Sequence, residues 1–153
     1  MSNRETHAIV GALAGGGFAA YRAHEQEQLQ LDAILETIGG AIGGYIGGRL
    51  PDVIEPASVP DHRGLAHSVT TGGAVLYIDY KIFGQWEQWF RSEAERYRIE
   101  REQRVLAGPE ELAYSLMETV LRIAAGALTG FVVGYLSHLM LDANTPRGLP
   151  LLK

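Results

Sequence analysis

Three glycine pairs, Gly39-Gly40, Gly43-Gly44 and Gly47-Gly48, recur at four-residue steps in a stretch whose apolar residues keep helical spacing. Glycine inside a helix costs about 1 kcal/mol relative to alanine, so six in one helix require a compensating gain. The gain on offer is close backbone approach, because a stripe without Cβ atoms lets a neighbouring helix come unusually near. Gly126, Gly130 and Gly134 repeat the device late in the chain, and Gly11 and Gly15 repeat it near the start. Glycine is correspondingly abundant, 19 of 153 residues against the roughly 7% that is usual.

The rest of the chain agrees with an all-α fold. Alternating β-branched runs are missing, and the periodicity predicts helices near 5–23, 29–49, 64–83, 85–106 and 110–142. Pro51–Asp61 reads as an irregular connection, Pro109 suits a helix start, and Pro146 lies past a helix end. The expectation is one domain over 1–153, a compact bundle of about five helices packed through glycine around a His/Asp metal site. A charged amphipathic helix stands as an insert at about 84–108. No secretory signal opens the sequence. The formal charge of −5 argues against a nucleic-acid partner held by a broad basic face. With no cysteine, disulfides, thiolate metal sites and a Cys nucleophile are excluded, and any metal must be held by His and carboxylates.

Each glycine stripe, continued by the same step, ends in a residue type that ligates metals. Forward from Gly126, Gly130 and Gly134 come His138 and Asp142; backward from Gly15 and Gly11 comes His7; forward from Gly40, Gly44 and Gly48 comes Asp52. His138 and Asp142, four apart, share a helical face and can reach one ion. His62 and His67 suit a loop ligand and a helix-start ligand across Gly64. Imidazole and carboxylate without thiolate suit zinc, manganese, iron or nickel more than a structural Cys-type zinc site; zinc is the first expectation, with manganese or iron as alternatives. Bland readings stand beside these: His7 as an ordinary helix-start residue, Asp52 as a turn or cap acid, Glu55 and Asp61 as loop acids. Arg63 reads either as a clamp for phosphate or carboxylate or as a plain salt-bridge donor. His24, in a charged run, reads as solvated.

The strings Leu50-Pro-Asp-Val-Ile-Glu-Pro56, Asp61-His-Arg-Gly-Leu-Ala-His-Ser68 and Gly134-Tyr-Leu-Ser-His-Leu-Met-Leu-Asp-Ala-Asn-Thr-Pro-Arg-Gly-Leu-Pro150 resemble the YdjM-like family. Its members are described as LexA-binding, inner-membrane-associated, metal-dependent hydrolases. The resemblance covers most of the chain except roughly 84–110, and a His near the first helix start, as His7 is here, belongs to it. It implies a divalent metal on His7, Asp52, His67, His138 and Asp142, with His62 as a further ligand or catalytic group. Many members carry a second acid two residues after the Pro-Asp; here that position is Ile54, and Glu55 follows. More remotely, the His138/Asp142 pair is similar to the helical ligand pairs of zinc-dependent phospholipase C and P1-type nucleases.

Hydrolysis by metal-activated water is the chemistry such a site implies, with Glu55 or His62 as general base and Arg63 stabilising anionic charge. Phosphoester or lipid-like substrates follow by analogy. The alternative is a non-catalytic, metal-stabilised membrane or interaction protein. Ile123–Leu141 is 19 residues without a formal charge, just long enough to span a bilayer. The other uncharged stretches, Ala8–Tyr21, Thr37–Gly48 and Gly64–Ile78, are shorter. From the residues the membrane question stands even; the resemblance favours the inner membrane over the cytoplasm, with lipid as a partner. Self-association through Gly-rich or Trp-bearing helices is a further expectation. The charged helix carries Trp86, Trp89, Phe90 and Tyr97 on one flank, with five Arg and five Glu between Trp86 and Arg104 expected to stay in water.

Overall fold

The computed structural model describes residues 4–26, 28–55, 66–104 and 107–144, and within them all regular structure is helical. Helix α1 spans Arg4–Glu25, α2 Gln30–Ile54, α3 Val69–Ile78, α4 Gly84–Gln103 and α5 Pro109–Ala143. A π-helical turn, Asp79–Phe83, joins α3 to α4 without a break. The described residues therefore form four rods where about five helices were expected. The separate helices predicted over 64–83 and 85–106 are one rod, because the π turn Asp79–Phe83 runs directly into α4 at Gly84.

Helix α2 also outruns its expected end. It continues through Pro51 to Ile54, where the sequence suggested irregular structure from Pro51 onward. A proline in the last turn forfeits only one backbone hydrogen bond, and its fixed φ is already helical. Glu55 N–H then closes the helix on the Pro51 carbonyl at 2.9 Å.

The glycine stripes lie where helices touch, all within this one chain. A Cβ built on Gly130 would stand 1.9 Å from the Gly40 carbonyl oxygen, and one on Gly43 would stand 2.0 Å from that of Ala127. On the other face of α2, a Cβ on Gly44 would meet the Gly11 carbonyl at 2.1 Å. Contact that close is available only to Cα hydrogens facing carbonyl oxygens. The pairings also give direction: α5 runs parallel to α2, and α1 runs antiparallel to both.

Side chains are distributed the opposite way from a water-soluble bundle. The buried apolar residues are mostly small, Ala8, Ala19, Ala23, Ala94 and Ala125 among them, whereas Ile34, Ile38, Ile42 and Ile46 form an exposed stripe along α2. Large apolar residues outside and small ones inside suit hydrocarbon surroundings. Helix α5 alone among the described helices is long and apolar enough to cross a membrane.

Part of the charge of α4 is not kept in water: Glu87, Arg91 and Arg98 turn inward and form a network with α1, α2 and α5, while Arg96, Glu102 and Arg104 stay exposed. Arg91 grips the fully buried Glu36 with Nε at 3.0 Å and a terminal nitrogen at 2.8 Å. Arg98 and Arg122 hold Asp32 at 3.0 and 2.9 Å, and Arg22 holds Glu87 at 2.6 Å. Trp86 and Trp89 take the outer face instead. The inversion follows from the partner surface: Asp32 and Glu36 of α2 and Glu118 and Arg122 of α5 are buried charges that need opposite charges to be tolerated there.

Two outcomes follow in detergent-solubilised protein. Gly130→Ala lowers unfolding stability by about 1–3 kcal/mol through overpacking, whereas Gly17→Ala, with no atom within 4 Å of the added Cβ, raises it by up to ~1 kcal/mol. Arg91→Ala leaves Glu36 poorly compensated and destabilises by about 3–5 kcal/mol. The exposed Arg96→Ala leaves the thermal midpoint in place.

Candidate metal centre

The register set by the glycines brings one end of each packed helix to a common point. His7 lies in the first turns of α1, Asp52 in the last turn of α2, and His138 and Asp142 one turn apart near the end of α5. His67 enters from the segment ahead of α3. Ser68 is the N-cap of that helix, its hydroxyl accepting from Thr71 N–H at 3.1 Å, which holds the preceding His67 at the bundle end. All five residues expected as ligands are thus gathered, and His7, His67, His138 and Asp142 are buried.

Spacing inside the cluster is informative. Asp142 Oδ1 is 3.6 Å from His7 Nε2, and its Oδ2 is 3.7 Å from His67 Nε2 and 3.5 Å from His138 Nε2. Asp52 Oδ1 is 3.6 Å from His67 Nε2. Hydrogen bonds between such groups close to about 2.7–3.2 Å. Donors sharing one ion with bonds of about 2.0–2.2 Å at tetrahedral angles stand roughly 3.3–3.6 Å apart. The triads His7/Asp52/His138 and His67/His138/Asp142 each place their ligand atoms within 4.8 Å of one another.

Imidazole orientation agrees with this. His138 Nδ1–H donates to the Gly48 carbonyl at 2.7 Å, which leaves the Nε2 lone pair free. That Nε2 is buried and has no hydrogen-bond partner, an arrangement costly for a polar atom unless something else uses it. His67 Nδ1–H donates to Glu55 Oε2 at 3.0 Å, the outer-shell carboxylate arrangement that fixes a ligand imidazole. The rings of His7 and His138 stack at 3.9 Å between centroids. The donor set therefore fits a divalent ion.

His67 lies outside the helices, and its protonation can be followed. Burial disfavours its imidazolium, yet the neighbouring Asp52 carboxylate, the hydrogen bond to Glu55 and the charge of Asp142 outweigh burial and hold its pKa above the ordinary value.

Of the expected catalytic group, Glu55 accepts from Ala66 N–H at 3.1 Å as well as from His67. His62 and Arg63 lie outside the described residues. His24 is exposed on α1. Sequence reasoning passed over Tyr135, whose hydroxyl donates to the Ala66 carbonyl at 2.6 Å; its position three residues before His138 on the same face was the available signal.

A family model described as YdjM inner membrane protein matches residues 1–153. The chain belongs to the YdjM inner membrane protein family. The match runs through the charged helix, which the sequence resemblance left uncovered. No curated protein and no solved structure is significantly similar to the chain. Membership in the YdjM family supplies the solvent that the exposed isoleucines of α2 require, and it places the His/Asp cluster of this YdjM chain in an inner membrane protein.

Because His67 gains proton affinity on folding, its contribution to metal-free stability is full below its unfolded pKa. That contribution is lost as pH rises through the higher folded value. The difference in thermal unfolding between metal-free parent and His67→Ala across the histidine range should show this fall with rising pH.

Proposed function

We propose that the protein is a membrane-embedded, metal-dependent hydrolase whose divalent ion is held by His7, Asp52, His67, His138 and Asp142. One observation carries the reading. Three imidazoles and two carboxylates meet in a buried cluster at separations too long for hydrogen bonding, with His138 Nε2 unpartnered. A neutral-imidazole and carboxylate set suits zinc, with manganese or iron as alternatives. When bound, such an ion supplies Lewis acidity that makes water nucleophilic near neutral pH and polarises a scissile bond.

The chain's own groups supply the rest. Gly48 and Glu55 fix the His138 and His67 rings through their Nδ1 hydrogens. Glu55, with an oxygen on each of two donors, orients His67, and the role of general base passes to His62. Arg63 stabilises anionic charge that develops on the substrate. Phosphoesters, and lipid-like ones in particular, are the substrate class that suits a site in an inner membrane protein.

Elemental analysis of purified protein beside a His138→Ala, Asp142→Ala double variant tests the ion. Stoichiometric zinc, manganese or iron in the parent and none in the variant is the expected result; no metal in either after reloading would overturn the reading. Asp142→Asn then separates catalysis from architecture. A hydrolase loses turnover of nitrophenyl phosphoesters or phospholipid vesicles by at least ~100-fold while its thermal midpoint holds; a structural ion site loses the midpoint instead.

A further inference from the structure

Four of the five clustered donors ride on helices whose register is fixed by glycine contacts. His67 does not, since it precedes α3, and its position depends on what holds the short segment 66–68. Ala66 is held through both of its backbone polar groups. Its N–H donates to Glu55 Oε1 at 3.1 Å, and its carbonyl accepts from the Tyr135 hydroxyl at 2.6 Å. Glu55 in turn takes the His67 Nδ1 hydrogen at 3.0 Å. Tyr135, Ala66, Glu55 and His67 thus form one hydrogen-bonded chain from the last turns of α5, across the segment, to the end of α2.

Tyr135 is 2% exposed and Ala66 is 5% exposed. A buried phenol must find a partner for its hydroxyl, and phenylalanine would fill the same space without that demand. The hydroxyl therefore serves the bond it makes. We infer that Tyr135 is a positioning residue for His67, acting with Glu55 as a two-sided clamp that presents His67 Nε2 to the cluster. The inference rests on reading the cluster as a metal site. Tyr135 stands about one turn before His138, so the helix that carries two donors also fixes the segment that completes the set.

Full-length Tyr135→Phe, solubilised in detergent, tests the clamp by two independent readouts. In metal-free protein the Ala66 amide should exchange its hydrogen about tenfold faster than in the parent, matching the loss of a buried hydrogen bond. Amides in the middle of α5 should keep their rates. An unchanged Ala66 rate would overturn the clamp whatever the metal does. In the second readout, cobalt(II) is titrated and followed by its visible ligand-field bands. Tyr135→Phe should weaken cobalt binding about tenfold, the lower end for an outer-shell partner, and shift the bands toward those of His67→Ala. In a His67→Ala background the same change should add nothing. An equal loss in that background would make Tyr135 a general packing residue and overturn the inference. Glu55→Gln, which opens the clamp from the other side, should reproduce both changes, and its failure to do so counts against the clamp. If the parent gives no cobalt bands, the metal reading fails, while the exchange measurement still decides whether Tyr135 and Glu55 hold His67.

Discussion

Contact between glycine Cα hydrogens and carbonyl oxygens across α1, α2 and α5 is the interaction on which the rest of the architecture depends. In hydrocarbon surroundings apolar side chains gain little by leaving lipid, so helices must be held by close packing and by polar contacts. Here the packing is backbone against backbone on both faces of α2. That arrangement allows little sliding, since a one-residue slip would bring side chains where only hydrogens fit. The step between α2 and α5 is constant: Gly40 meets Gly130, Gly44 meets Gly134, and the Gly48 carbonyl meets His138. Carried one turn further, the same step brings Asp52 beside Asp142. For the four donors carried by helices, the geometry of the cluster is thus a consequence of register rather than of local loop design.

The same stripes continue in the opposite direction into another kind of chemistry. Back from Gly40 along α2 lie Glu36 and Asp32, and back from Gly126 along α5 lie Arg122 and Glu118, all buried. The inward face of the bundle therefore carries ion pairs at one end, bare glycine in the middle and imidazoles with carboxylates at the other. Charged groups at the first end are ion-paired with α4, through Arg91, Arg98 and Glu95, although Arg122 Nε lacks a hydrogen-bond partner. At the second end His138 Nε2 lacks a hydrogen-bond partner. Buried charges are tolerated when paired: at the first end arginines meet carboxylates, at the second metal-ligating donors meet one another, and this contrast separates the architectural end of the molecule from the chemical one.

Much of this was legible in the sequence. Glycine spacing sufficed for the helical class, the close packing and, by extension of each stripe, for His7, Asp52, His138 and Asp142. What was not legible has physical causes. Pro51 was read as a stop, although a proline in a final turn interrupts little. The π turn leaves no mark in hydrophobic periodicity, so one rod was read as two helices. The charged helix was read against water because its ten charges look solvated when α4 is considered alone. Its inward orientation is set by Asp32, Glu36 and Arg122, which appear only if the stripes are followed backward as well as forward. Tyr135 escaped notice because its partner is a backbone carbonyl, which no side-chain pattern announces.

Chain direction has an electrostatic consequence of its own. Helices α2 and α5 are parallel, so their carbonyl ends arrive together at Asp52 and Asp142. Each carbonyl end carries the equivalent of about half a negative charge, and the amino ends of α1 and α3, both arriving at the same place, offset the two. Ordinarily an acid avoids the carbonyl end of a helix; here two helices each end in one, with Glu55 beside them. The helix ends at this end of the bundle are therefore close to balanced, and its negative charge comes from Asp52, Glu55 and Asp142 themselves. What the path of the backbone supplies is the convergence of those acids on one point, which no single side-chain substitution can undo.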